Sequence, residues 1–173
     1  MDLMRLFTAI PRLLAIGSAM VAMGCGRGPK ETLPIGGPMP DFVLGDPGGG
    51  RVSLSSVTQQ RRVVLLNFWA TWCEPCREEM PDFERVYQKR KGEGFSIVAI
   101  SEDEDAEALR KYLSATPPSF RVLTDKDSQF AKKLGIWGFP TSVWIVDGRI
   151  TKVIEGKMPY LDVEVESALK LAK

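Results

Sequence analysis

Two cysteines three positions apart, Cys73 and Cys76, are the residues of this chain best suited to chemistry. The chemistry they suit is thiol–disulfide exchange: a thiolate attacks, a mixed disulfide forms, and the second thiol displaces it. Glu74 and Pro75 lie between them. The chain has no histidine, which removes Ser-His and Cys-His nucleophile pairs, His-bearing zinc sites and any His acid–base step. A structural zinc site needs about four ligands, and beyond the pair only Cys25 is left. No metal and no cofactor other than a redox-active Cys73–Cys76 disulfide is called for. An inert structural disulfide is the plain alternative, but so small a loop constrains the unfolded chain little.

Such a pair works only if the fold places it. Residues 63–68 (VVLLNF) form an almost unbroken apolar run, the pattern of a strand buried on both faces. A helix is predicted from Glu74 to about Lys91, with Met80, Phe83, Val86 and Tyr87 on one stripe and Pro81 expected to kink it. The pair therefore sits where a strand ends and a helix begins. Unpaired N–H groups there stabilise a thiolate, so Cys73 is expected to be exposed and partly ionised. Cys76 is expected nearly one turn deeper, and Pro75 fits the first turn, where its missing N–H costs nothing.

Around this junction the pattern alternates. A hairpin is predicted from residues 42–44 and 52–54 about the turn 46–50. A second buried strand covers 95–101, a helix 105–114, a third strand 120–123 and a short helix 128–134 stopping at Gly135. A hairpin of 142–146 and 150–154 turns at Asp147-Gly148, and an amphipathic helix closes the chain from about 160 to 172. The reading is an α/β three-layer sandwich with a mixed sheet. The acidic run from Glu102 to Glu107 reads as a solvated helix start.

The chain has 173 residues, 23 basic against 22 acidic, enough for one domain and no strong field for nucleic acid. Residues 1–24 read as an export signal: Arg5 and Arg12, then an apolar stretch over 13–22 too short to span a bilayer, then small residues. Ala22-Met23-Gly24-Cys25 resembles a bacterial lipobox, imperfectly, which makes Cys25 the candidate lipid attachment. Plain cleavage after Gly24 and an uncleaved anchor stay open. Residues 25–39, rich in Gly and Pro, read as a linker, and 40–173 as the folded domain.

The segment from Asn67 through Trp72-Cys73-Glu74-Pro75-Cys76 to Pro81 is similar to the active-site segment of extracytoplasmic thioredoxin-like proteins of the TlpA/ResA type. Pro40-Asp41-Phe42 resembles that family's opening motif, and Gly135-Ile136-Trp137-Gly138-Phe139-Pro140-Thr141 its second signature loop. The resemblance spans about residues 36–172. It implies a thioredoxin-like fold with an added N-terminal hairpin and a central insertion at about 101–125. It also implies a cis-proline at Pro140 opposite the disulfide, Phe139 presenting its backbone to a substrate strand, and Trp72 covering one side of the thiols. A core role for Trp72 is the alternative. The copper-delivery relatives of thioredoxin, which use a histidine, are disfavoured.

Cytoplasmic thioredoxin carries a buried Asp where Asn67 stands, serving as base for the resolving thiol. Asn67 has no proton to exchange. Glu79, three residues beyond Cys76, is the expected substitute, with Glu78 as the control on another face and a solvated surface role for Glu79 as the alternative. Glu74 beside Cys73 should disfavour the thiolate and make the couple reducing. The expected activity is reduction of disulfides in exported polypeptides, with apocytochrome c as a family-suggested client, a membrane thiol protein as electron donor, an N-terminal membrane anchor and a monomeric state. A disulfide oxidase or isomerase, and a polypeptide-binding chaperone module, are the competing readings. A peroxidase has less support, because it would not need Cys76.

Overall fold

The apolar run at 63–68 forms the heart of a seven-stranded sheet in the computed structural model, which describes residues 33–59 and 61–172. The expected signal at 1–24, Cys25 and most of the expected linker lie outside the described residues. In chain order the strands are β1 (Val43–Gly45), β2 (Arg51–Ser53), β3 (Val63–Trp69), β4 (Phe95–Ser101), β5 (Arg121–Thr124), β6 (Thr141–Val146) and β7 (Arg149–Glu155). Their order across the sheet is β2-β1-β5-β4-β3-β6-β7. Strands β3, β4 and β5 are parallel neighbours, while β6 and β7 continue the sheet antiparallel. Every residue of β3 and β4 is buried, which is why both read as continuous apolar runs without alternation.

Period two then sorts their side chains into two cores. Val63, Leu65 and Trp69 of β3 join Phe95 and Ile97 of β4 on one face. That face is covered by α2 (Glu74–Arg90), α3 (Ala106–Ala115) and α5 (Leu161–Leu171). Val64, Leu66 and Phe68 face the other way, against α4 (Gln129–Lys133) and Leu54 of α1 (Leu54–Thr58). The fold is the α/β three-layer sandwich expected, with the hairpin β1–β2 added at one sheet edge and α3–β5 as the central addition.

Several local expectations resolve differently. Leu54 opens α1 instead of ending a strand, because its side chain turns into the second core. The helix α2 includes Pro81, where a kink was expected, within one continuous element, and its apolar stripe of Met80, Phe83 and Val86 packs on the sheet, as the spacing implied. Residues 36–39, expected to belong to the linker, bond to the sheet: Gly36 N–H donates to the Ile150 carbonyl at 2.7 Å and Met39 N–H to that of Gly148 at 3.2 Å. Those bonds dock residues 36–39 on β7 at the end of the sheet away from the cysteines. The turn at Asp147 and Gly148 has φ 46° and 77°, the left-handed pair that a two-residue hairpin needs and that Asp-Gly supplies cheaply.

Candidate active site

Strand β3 ends at Trp69, and the chain makes one turn, closed by Cys73 N–H donating to the Ala70 carbonyl at 3.1 Å, before α2 begins. Cys73 is the N-cap of α2, with φ −86° and ψ 102°, and Cys76 lies in its first turn. The two sulfurs are bonded at 2.05 Å with Cα atoms 5.3 Å apart. Pro75 occupies the first turn, where no N–H is missed. The expectation of an exposed Cys73 needs correction: in this oxidised form it is 6% exposed and Cys76 is fully buried. Both cysteines belong to the core cluster that contains Trp69.

Trp72 is 67% exposed, so it does not fill the core. Its ring meets that of Phe139 edge-on at 6.0 Å between centroids. Phe139 is half-buried, Pro140 is buried, and the bond between them is cis. Trp137 is as exposed as Trp72. Gly135 before it has φ 70°, the left-handed stop that ends α4 and releases the loop.

Burial separates Glu78 from Glu79. Helical phase sends Glu78 outward, where its carboxylate meets Lys157 Nζ at 2.8 Å and is held below the usual carboxylate range by it. Glu79 is 2% exposed. Its Oε1 accepts from Asn67 Nδ2 at 3.0 Å and its Oε2 from the Met158 N–H at 3.2 Å. Burial outweighs both donors and pushes the carboxyl up to about 7. Asn67 also donates to Ser142 Oγ at 3.1 Å, so one amide ties β3, β6 and α2 together. The only polar residue inside the run VVLLNF was the signal for this contact; Ser142 and the Met158 backbone carry no signal of their own.

The acidic run after β4 departs most from expectation. Asp105 does start a helix, accepting from the Glu107 and Ala108 N–H groups at 2.8 and 3.3 Å. Glu102 and Asp103, however, are 5% and 6% exposed. Asp103 binds the turn before Cys73 through Thr71, a connection that the sequence analysis missed. Among the described residues neither Glu102 carboxylate oxygen meets a donor at full hydrogen-bond geometry, and burial, opposed by the nearby Ser128 hydroxyl and aided by Asp125, pushes it up to about 8. Among the described residues no group of three or more Cys, Asp or Glu is arranged to hold a metal ion, and no helix is long and apolar enough to cross a membrane.

Residues 34–170 match the family model Redoxin. The chain is 35% identical over 130 residues to the thiol-disulfide oxidoreductase ResA of Bacillus subtilis, covering 75% of this chain and 72% of that protein. It is 34% identical over 161 residues to the protein of the same name from Bacillus thuringiensis, covering 92% of each. A putative thiol:disulfide interchange protein DsbE from Chlorobium tepidum superposes with a TM-score of 0.73 at 34% identity, over 80% of this chain and 99% of that one.

Proposed function

The chain belongs to the redoxin family and is a thiol–disulfide oxidoreductase of the ResA type; on that premise we propose that it reduces disulfides in exported polypeptides, with Cys73 attacking and Cys76 resolving. The observation that carries the division of labour is the Cys73–Cys76 bond at the start of α2, with Cys73 as the N-cap and slightly exposed and Cys76 fully buried. Cys73 thiolate attacks one sulfur of the partner's disulfide, and the partner's other sulfur leaves with the electron pair. Cys76 then gives up its proton and attacks Cys73 Sγ, and the partner departs as a dithiol. The enzyme is left oxidised, and two electrons from a membrane thiol donor restore it.

Glu79 is the group proposed to take the Cys76 proton. It stands one helical turn beyond Cys76, buried, with a carboxyl at about 7, matched to proton transfer near neutrality. Trp72 and Phe139 form an aromatic wall, and with Pro140 they are the proposed contacts for the partner strand. No cofactor enters this cycle. The proposal extends to a monomer held outside the cytoplasm through lipidated Cys25, and to apocytochrome c as client.

The direction of flow rests on Glu74, exposed between the cysteines, whose charge disfavours the Cys73 thiolate and so the reduced form. The reduction potential is expected nearer to thioredoxin at roughly −270 mV than to DsbA at about −120 mV. A value above about −180 mV, that of protein disulfide isomerase, would overturn the reductant reading in favour of oxidase or isomerase. Cys76→Ser should trap the client on Cys73. Clients recovered without a covalent bond would support a binding module instead.

A further inference from the structure

We propose that Asp103 is a positioning residue for the disulfide: from the end of β4 its carboxylate holds the turn 70–73 so that Cys73 stays within closing reach of Cys76. The inference rests on the exchange activity and names the group that sets ring closure within it.

Two observations make the turn decisive. Cys76 lies within the first turn of α2, but Cys73 is the N-cap: its carbonyl accepts from Arg77 N–H at 3.1 Å, while its backbone angles are extended and its own N–H bonds back to the Ala70 carbonyl at 3.1 Å. Its side chain is therefore aimed by the residues before it. Those residues are gripped from one place. The Trp69 carbonyl accepts from Glu102 N–H at 2.8 Å, one step past the last β3–β4 pair. Thr71 N–H then donates to both oxygens of Asp103 at 3.1 Å, and Thr71 Oγ1 donates to Oδ1 at 2.6 Å.

Asp103 is itself locked. Ser101 Oγ donates to its Oδ2 at 2.8 Å, and its own N–H donates back to Ser101 Oγ at 3.2 Å. Capping α3 is the work of Asp105. Among the described residues the Asp103 side chain bonds to Ser101 and Thr71, so a buried acidic side chain is committed to the turn two residues before the attacking sulfur. An amide at position 103 would turn its NH2 toward donors or give up one acceptor, and Thr71 N–H cannot rotate away. Thr71→Val removes one donor and keeps the shape; Thr71→Ser keeps the donor.

The test measures ring closure in the full chain with glutathione. Glutathione thiolate attacks Cys73, breaking the bond to Cys76, whose sulfur takes the electron pair; closure reverses this and expels glutathione thiolate. The effective concentration of Cys76 toward the Cys73–glutathione disulfide is read from the equilibrium ratio of the two species. Asp103→Asn should lower it at least about tenfold, Thr71→Val about threefold, and Thr71→Ser should match the unsubstituted protein. Closure unchanged in a folded Asp103→Asn, or equal losses in Thr71→Val and Thr71→Ser, overturns the proposal. Should Asp103→Asn fail to fold, the Thr71 pair decides alone. A purely structural role would lower the melting temperatures of oxidised and reduced protein alike and leave closure where it was. If the unsubstituted protein never forms the mixed disulfide at Cys73, the exchange activity fails; normal closure in it, matched by every variant, sinks only the role of Asp103.

Discussion

Two carboxyl groups in this protein are buried to nearly the same degree and raised for the same reason, Glu79 on α2 and Glu102 after β4. Glu79 accepts from two donors and lies one turn from Cys76, on the helix that carries it. Glu102 meets no donor at full hydrogen-bond geometry among the described residues; the Ser128 hydroxyl nearby only partly offsets its burial, and Asp125 beside it adds like charge. Desolvation is the largest cause of a carboxyl raised to neutrality or above in both places. What separates them is whether a proton released there has a reacting sulfur nearby. A perturbed carboxyl marks a candidate, and its neighbours decide the role.

The widest gap between the two should open in exchange kinetics. Glu79→Gln keeps the hydrogen-bonding shape and removes the base, so release of the partner from Cys73 should slow by about 10²-fold. Glu102→Gln should stay within about twofold of the unsubstituted rate. Equal slowing in stopped-flow measurements would erase the distinction. The same rate should rise with pH through about 7, the value to which burial pushes Glu79, and that step should vanish in Glu79→Gln. A step that persists in the variant would assign it to a thiol.

Stability should show the reverse ranking. A carboxyl raised from 4.5 to about 8 holds its proton in the folded state after the unfolded chain has released it. Glu102 therefore contributes fully below about pH 4.5, and that contribution is lost as pH rises through 8. Glu102→Gln should flatten the fall in unfolding free energy between pH 5 and 9 by about 5 kcal/mol at most. Glu79→Gln should flatten it by about 3 kcal/mol at most, with the change complete near pH 7. Denaturant melts across that range decide, and identical curves for all three proteins would mean that water reaches both sites. Glu78→Gln is the smallest case: exposed and paired with Lys157 at the surface, it should move neither exchange nor stability measurably.

Apolar runs and turn residues carried most of the fold. VVLLNF and FSIVAIS could only be strands covered on both faces, and Asp147-Gly148 could hardly be anything but a hairpin turn. Leu54 was ambiguous because a single apolar residue after a short strand suits either a strand end or a helix start, and only packing against the second core chooses. Cys73, Cys76 and Glu79 were legible from spacing along one helix. Asp103 was not, since six residues after a strand, five of them acidic, look solvated until a partner appears.

Local sequence thus determined where a thiol pair would stand, at the junction of a buried strand and a helix, because capping and periodicity act over a few residues. The tertiary structure decided what surrounds it. Asn67 reaches Glu79 and Ser142, and Thr71 reaches Asp103, across separations of 12, 75 and 32 positions. Contacts between strands that become neighbours only when the sheet closes leave no periodic trace in the chain, so burial of those carboxyls could be read only from the fold.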